Sequence, residues 1–386
     1  MYNPTRDDAH EIETLLDQLT DTAEARPPTS PAEARAAAFV NGRLRRASMG
    51  VSTYELRSQP RPGGAYAIIG ALGLLAAATA FLLPLPSLLL ALLLLLALLY
   101  DALAAPLLPV GRRRVSQNIV GTRAIVGAGG LTPRRPRWRV LLVAPLDSPQ
   151  RRRGLGALAG PARGAALLRI AAPALLASAA LLRWLAPTPW LWWLPLVGAG
   201  ALFAMLLVAD LLPLAPAPTD GGLAALATLV AAAARLGALE RVELWAIAVG
   251  AAGSDPAGAA SLMRRFPFDR ADTLVIALEQ LAGGQLVYAT REGGLAPRPA
   301  HPLLLRFAAA ADAADPMVDA EPRALAVAGE LAAPLRRLGF GAITVSAGST
   351  PGEHAPPAAP AVADPQLVER ATRLVVGMVR RLETEP

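Results

Sequence analysis

The chain contains neither cysteine nor lysine, and all 37 of its basic residues are arginine. Without cysteine it has no disulfide, no thiolate zinc site and no cysteine nucleophile. Without lysine it is not a P-loop NTPase, which needs a phosphate-binding lysine, and it cannot use Schiff-base chemistry. Histidine is scarce, since His10, His301 and His354 are the only three. These absences exclude several large classes of enzyme.

Apolar residues are abundant instead. They make up 54% of the 386 residues, only 17% are charged, and the mean hydropathy is +0.40. This composition is typical of a membrane protein. Alanine, arginine, glycine and proline are frequent, as in proteins from GC-rich bacterial genomes. The sequence pI of about 10.7 is therefore weak evidence for nucleic-acid binding, and we expect no nucleic-acid partner.

Two apolar blocks dominate the hydropathy, at residues 64–104 and 165–212. Prolines interrupt each block near its middle, at Pro84–Pro86 and Pro187–Pro189. Each half has about 20 residues, which is enough for a helix to cross a hydrocarbon core of roughly 30 Å. The pattern predicts two transmembrane helical hairpins, with four spans in total.

The distribution of arginine predicts how these hairpins are oriented. Residues 1–63 contain eight arginines and residues 105–164 contain twelve, whereas the turns within the blocks contain none and one. The positive-inside rule then places both termini and the middle segment in the cytoplasm. We expect a multi-pass protein of the inner (plasma) membrane, with the lipid bilayer as a partner.

The remaining segments, 1–63, 105–164 and 213–386, each contain too few predicted strands for a sheet. We therefore expect them to form one α/β domain, a mixed and mostly parallel sheet sandwiched by helices and interrupted by the two hairpins. Ser30 and Pro31 predict a helix start. In the last segment the pattern predicts helices at 221–236, 256–265, 302–313, 322–337 and 365–384, and strands at 242–249, 273–279, 285–290 and 342–346.

Short motifs in the same order resemble the co-catalytic zinc aminopeptidases and carboxypeptidases of metallopeptidase family twenty-eight. The segment Arg26-Pro27-Pro28-Thr29-Ser30-Pro31-Ala32-Glu33-Ala34-Arg35 is similar to the family's Arg-Pro-x-Gly-Ser lead-in. Ser116-Gln117-Asn118-Ile119-Val120 is similar to its Asn-Val/Ile strand. The resemblance covers nearly all of the soluble part. It implies a zinc-exopeptidase-like fold and a hydrolase-like ancestry.

The family holds two zinc ions with five side chains, and the resemblance implies that three of these ligands remain. Asp220 fits the bridging carboxylate, although an aspartate before the helix at 221–236 also suits an N-cap. Glu279 ends a strand where the family has an aspartate ligand. His354 fits the final histidine, although its Pro- and Ala-rich surroundings equally suit a plain surface residue.

Other family positions carry residues that cannot do the same chemistry. Pro145 stands where the family has a histidine ligand, while the aspartate that orients it is kept as Asp147. Ala252 stands at the general base, and Gly253 stands at a glutamate ligand. Each zinc would keep two protein ligands, whereas catalytic zinc normally has three and a water. We therefore expect no zinc, or weakly bound zinc, in the pocket formed by these four residues.

Ordinary structural roles compete with the metal site for two of the carboxylates. Asp147 is close in sequence to Arg151–Arg153 and could pair with them. Glu279 would need a partner if buried, which Arg291 or a remaining metal could supply.

Three functions follow from this sequence. The first is a membrane-anchored, catalytically inactive peptidase-fold protein (a pseudoenzyme) that binds a peptide or protein partner. The second is an active zinc aminopeptidase with rearranged ligands. The third is an accessory component of a membrane transporter. The few charged residues of the apolar blocks lie near the ends of the predicted spans, so no ion path is evident.

Overall fold

A computed structural model describes residues 6–22, 25–60, 63–104, 107, 110–125, 136–148, 150–152, 154–186, 188–216, 221–253, 257–281, 283–327, 329–348 and 363–385. Two of the predicted zinc ligands, Asp220 and His354, lie outside these residues. The predicted remnant metal site is therefore described only in part.

Helices account for much of the described chain. In order they are α1 (Arg6–Thr22), α2 (Pro31–Arg46), α3 (Ala65–Thr79), α4 (Pro84–Leu103), α5 (Arg163–Leu185), α6 (Pro189–Leu211), α7 (Gly221–Leu236), α8 (Ala257–Arg265), α9 (Pro302–Ala314), α10 (Ala332–Arg337) and α11 (Pro365–Thr384).

Strands come from all three soluble segments. In order they are β1 (Gly50–Ser58), β2 (Arg114–Arg123), β3 (Trp138–Pro145), β4 (Gln150–Arg151), β5 (Ala215–Pro216), β6 (Val242–Val249), β7 (Thr273–Leu278), β8 (Gln285–Glu292), β9 (Arg298–Pro299), β10 (Glu321–Leu325) and β11 (Gly341–Gly348).

One sheet joins the three soluble segments in the order β1-β2-β6-β3-β7-β11-β8-β10, with β9 paired to β8. The strands β6, β3, β7 and β11 are parallel, and the antiparallel pairs lie toward the sides. The expectation that the middle segment shares a sheet with β6 is therefore confirmed. The mixed, mostly parallel α/β class is confirmed as well.

Helices cover both faces of this sheet. Successive residues of a strand point to opposite faces, so Leu142 belongs to one apolar core and Val143 to the other. The first core packs against α1, α2, α7, α9 and α11, and the second against α8 and α10. The central strands are buried on both faces, as is usual for parallel sheets between helices.

Local signals predicted most of these elements, and one helix was predicted wrongly. Ser30 is the N-cap of α2, and its side chain accepts a hydrogen bond from the Glu33 amide, as the sequence indicates. The helix predicted at 322–337 is instead the strand β10 followed by the short helix α10. Residues 321–325 pair with β8 at the side of the sheet, and this tertiary pairing overrides the helical propensity of an alanine-rich segment.

The two apolar blocks form helical hairpins, α3–α4 and α5–α6, which pack together as a four-helix bundle with its own apolar core. Three of these helices are long and apolar enough to cross a membrane. The remaining helix, α3, has only 15 residues because it ends at Thr79, before Pro84 begins α4. The first of the four predicted spans is thus shorter than the sequence block suggested.

One end of the bundle is polar and faces the α/β domain. Asp210, near the end of α6, accepts hydrogen bonds from the Gly64 and Ala67 amides at 2.7 and 2.9 Å. Its other oxygen forms an ion pair with Arg152 at 2.9 Å. The carboxylate therefore satisfies the free amides at the start of α3 and fastens the two hairpins to each other.

Candidate functional site

Three loops meet at the edge of the sheet that is formed by the carboxyl ends of the parallel strands. The strands β3, β6 and β7 are parallel neighbours, so the loops that follow them lie side by side. The loop after β3 carries Asp147, the loop after β6 carries Ala252 and Gly253, and β7 is followed by Glu279. Ligands of open α/β folds bind at this edge. The structure thus brings Glu279 to the edge that also holds Pro145 and Ala252.

Asp147 is buried and is held by backbone amides. Its two carboxylate oxygens accept hydrogen bonds from the amides of Ala252 at 2.8 Å and Gly253 at 3.0 Å. The predicted pairing with Arg151–Arg153 is wrong for Arg152, which forms its ion pair with Asp210 instead. Burial, together with the nearby carboxylate of Glu33, raises the pKa of Asp147 to about 7.

The residues that carry the sequence resemblance support the loop after β6. Glu33 is buried and accepts hydrogen bonds from the Ala251 amide at 2.7 Å and from Ser116 Oγ at 3.0 Å. Asn118 accepts a hydrogen bond from the Gly250 amide at 3.0 Å. These contacts hold Ala251 in a left-handed conformation with φ 51°. These hydrogen bonds therefore fix the conformation of the loop, so that the amides of Ala252 and Gly253 point toward Asp147.

Glu279 stabilises the start of α10. Its carboxylate accepts hydrogen bonds from the amides of Glu330, Leu331 and Ala332 at 2.6, 3.0 and 3.0 Å. Backbone amides, and not Arg291, are the hydrogen-bond partners that the structure gives to Glu279. Burial and the carboxylate of Glu292 raise the pKa of Glu279 to about 6, although the amide hydrogen bonds oppose the shift.

Glu330 is the carboxylate that sequence reasoning missed. A Cβ placed on Gly253 would lie 3.2 Å from Glu330 Oε2 and 3.3 Å from Asp147 Oδ2, so the two carboxylates flank the same point. Burial and the charges of Asp147 and Glu279 raise the pKa of Glu330 to about 8. We call Asp147, Glu279 and Glu330 the acidic site.

The acidic site does not fit a co-catalytic zinc centre in the part of the chain that is described. Within those residues, no group of three or more His, Cys, Asp or Glu side chains is arranged to hold a metal ion. Both oxygens of Asp147 and of Glu279 accept amide hydrogen bonds. Glu330 is half-buried, so a cationic group could reach it from solvent. Buried carboxyl groups with raised pKa values can bind a proton or a cationic group at this edge of the sheet.

Solved structures with a similar fold include zinc aminopeptidases and a glutaminyl cyclase. The zinc aminopeptidase BSAP from Bacillus subtilis is 12% identical with a TM-score of 0.56, over 97% of this chain and 95% of that one. The aminopeptidase from Aneurinibacillus sp. strain AM-1 is 12% identical with a TM-score of 0.54, over 97% and 94%. A glutaminyl cyclase from an Acidobacteriales bacterium is 11% identical with a TM-score of 0.53, over 100% and 97%.

No protein-family model and no curated protein matches the sequence. At these identities the similar structures establish the fold, which is aminopeptidase-like, and the predicted fold class is confirmed.

Proposed function

We propose that this protein is a membrane-anchored, degenerate member of the peptidase fold that binds the amino terminus of a peptide or protein without cleaving it. One observation carries the proposal: the Ala252 and Gly253 amides donate to Asp147, at the positions where the resemblance places a base and a zinc ligand. Neither residue has a side chain that could accept a proton from water. We infer that zinc binds weakly or not at all.

The charge of the acidic site supports an amino group as the bound moiety. The carboxylates of Asp147 and Glu279 lie close enough to Glu330 to raise its pKa, and both of those groups are themselves buried next to further carboxylates, Glu33 and Glu292. A protonated amine relieves this repulsion by pairing with the ionised carboxylates. Binding would then release the proton that Glu330 holds at neutral pH.

The test is peptide binding to purified full-length protein in detergent, measured by fluorescence anisotropy. Labelled peptides with a free amino terminus should bind at least about tenfold more tightly than their acetylated forms, since one charged hydrogen bond is worth about 1.5–3 kcal/mol. Glu330→Gln should remove most of this preference, and the exposed control Glu55→Gln should keep it. Equal binding of both peptide forms to the unaltered protein would refute the proposal.

Metal content and turnover give a second test, in which the unaltered protein should contain little zinc and leave aminopeptidase substrates intact. Replacing Pro145→His, Ala252→Glu and Gly253→Glu together would rebuild the family's side chains. Because Glu330 already occupies the space beside Gly253, we expect zinc affinity to rise by orders of magnitude only when Glu330→Ala is added. Single restorations should do little for turnover, because base and metals act as a unit.

The half-buried position of Glu330 favours a second candidate, an active zinc aminopeptidase with rearranged ligands. A carboxyl group with a pKa of about 8 is suited to general acid–base work near neutral pH. Stoichiometric zinc in the purified protein, with peptide cleavage that a chelator abolishes, would establish this function instead.

We propose further that the bundle anchors the protein in the inner membrane as a multi-pass protein with its α/β domain in the cytoplasm. The three long apolar helices support the anchoring, and the arginine asymmetry supports the orientation. Many leucines on the outside of the bundle are exposed, including Leu82, Leu93 and Leu96, at 86%, 63% and 63%. Lipid would cover such a surface. A transporter accessory role has no comparable support, since Asp101 and Asp210 are paired at the bundle end.

A further inference from the structure

A cavity of about 170 Å³ lies between the polar end of the bundle and the α/β domain, on the side of the sheet that carries β8. One wall comes from the ends of α3, α4 and α5, including Tyr66, Asp101 and Arg169. The other wall comes from α10 and from the chain between β8 and β9. The cavity is thus built by two parts of the molecule that differ in chemistry.

Four arginines and two acids line this cavity, and the acids are already neutralised. Glu292 forms an ion pair with Arg336 at 2.7 Å, and both side chains are almost fully buried. Asp101 lies 3.7 Å from Arg169, whose guanidinium also donates to the Leu158 and Gly160 carbonyls. Each of the two acids is therefore neutralised by an arginine, and these ion pairs hold the walls of the cavity in place.

The other two arginines, Arg298 and Arg337, are half-buried. Among the described residues the side chain of neither arginine has a hydrogen bond or an ion pair. Burial lowers the pKa of Arg337 and the nearby charge of Arg298 lowers it further, while the carboxylate of Asp101 partly opposes the shift. Two guanidinium groups thus line the same cavity, and neither forms an ion pair within the described part of the chain. An anion between them would relieve the repulsion between the two arginines and would accept hydrogen bonds from both guanidinium groups.

The cavity also lies beside the surface that a bilayer would cover. Leu103 is a lining residue and is 49% exposed, and Leu167 and Leu168, next to the lining residue Ala166, are 51% and 46% exposed. These apolar side chains flank the arginines on the bundle side. A group that carries a phosphate next to acyl chains matches this combination of charge and apolar surface.

We propose that this cavity binds a phosphate group through Arg298 and Arg337, in the form of either a phospholipid headgroup or a soluble phosphate compound. The volume admits a phosphate with a short polar substituent. The lipid source depends on the membrane anchoring proposed above, and the soluble source does not. In both cases the ligand would bridge the bundle and the α/β domain, and it would tie the two parts together.

The experiment measures two probes on purified full-length protein and on the variants Arg298→Gln, Arg337→Gln and their combination. The first probe is retention of phosphatidylglycerol against phosphatidylcholine in mixed-lipid nanodiscs, measured by mass spectrometry. The second is the thermal stabilisation that inorganic phosphate produces in detergent. Arg264→Gln, an exposed arginine on α8 that does not line the cavity, is the matched control. The two substitutions remove a repulsion, so the double variant should fold at least as stably as the unaltered protein.

If the site binds a lipid headgroup, phosphatidylglycerol should be enriched around the unaltered protein. The double variant should then lose this preference by about tenfold or more, since each arginine near the surface contributes about 1 kcal/mol. A soluble-phosphate site predicts that inorganic phosphate raises the melting temperature of the unaltered protein and not of the double variant, without lipid preference. Arg264→Gln should leave either response unchanged. Equal responses of the unaltered protein and the double variant to both probes would overturn the proposal, as would an equal loss in Arg264→Gln.

Discussion

At the scale of single residues, the acidic site concentrates carboxyl groups whose protonation differs between the folded and unfolded chain. The folded pKa of Glu330 is raised to about 8, whereas its ordinary value is 4.5. Below about pH 4.5 both states hold the proton. Between pH 4.5 and 8 the folded chain keeps a proton that the unfolded chain releases, so this residue's contribution to stability falls as the pH rises.

Glu330→Gln should therefore stabilise the protein at pH 8.5 relative to the unaltered chain and have little effect at pH 4.5. We expect the difference to be on the order of 1 kcal/mol, since one pKa unit corresponds to about 1.4 kcal/mol and partial exposure weakens the effect. Thermal unfolding in detergent across this range measures it. Glu55→Gln, on the exposed side of β1, should show no such trend, and parallel pH profiles for Glu330→Gln and the unaltered chain would contradict the assignment.

Glu279 gives a residue-scale prediction of the opposite sign. Glu279→Ala would leave the buried amides of Leu331 and Ala332, with the Glu330 amide, without their acceptor. Leaving buried donors unsatisfied costs roughly 1–3 kcal/mol, and more when the lost acceptor is charged. We expect a loss of about 3 kcal/mol in the free energy of unfolding and faster hydrogen exchange at residues 330–332. Glu279→Gln retains one acceptor oxygen and should lose less; unchanged exchange in Glu279→Ala would exclude the capping role.

At the scale of secondary-structure elements, close packing between α3 and α6 depends on a glycine. A Cβ on Gly73 would lie only 2.3 Å from the ring of Phe203, which fills the bundle core. Small residues at helix crossings allow such approach in membrane bundles. Gly73→Leu should separate the helices and destabilise the bundle by about 1–3 kcal/mol. Gly200→Leu on α6 meets no atom within 4 Å and is the matched control, so an equal effect of both changes would argue against the packing.

The elements also show which features the sequence could predict. The N-cap of α2 depends on Ser30 and its next three residues, and this local signal was read correctly. The strand β10 was missed because its partner β8 lies about 30 residues away, and pairing at a sheet side is not encoded in a local pattern. Pro322 is consistent with that position, since proline in sheets is confined to edges and strand starts.

The candidate site was predictable only where side chains follow strand ends. The predicted strands bring Asp147 and Glu279 to the same edge of the sheet, because these residues follow β3 and β7. The backbone amides that donate to these two carboxylates could not be predicted. Their directions depend on the left-handed conformation of Ala251 and on the turn before α10. Glu330 could not be recognised while residues 322–337 were interpreted as one helix. Its approach to Gly253 arises from contacts between distant loops.

At the scale of the whole molecule, the proposed orientation gives a direct test. A reporter fused after residue 188 lies between α5 and α6, at the bundle end opposite the α/β domain, and the C-terminus follows α11. We expect the two reporters to give opposite compartments, with the C-terminus cytoplasmic. Trp190, exposed by 73%, would then lie at the outer interface, where tryptophan is enriched. Equal readouts at the two positions would refute this topology.

The position of the two hairpins within the chain also sets an order of events during synthesis. β6 occupies the middle of the sheet, between β2 and β3, yet it follows both hairpins along the chain. Every bundle helix is therefore made before the strand that joins the two sides of the sheet leaves the ribosome. Until then β2 and β3 have open edges, and such edges pair readily with other chains. A chain terminated shortly before residue 242 would carry a complete bundle and an aggregation-prone half-sheet.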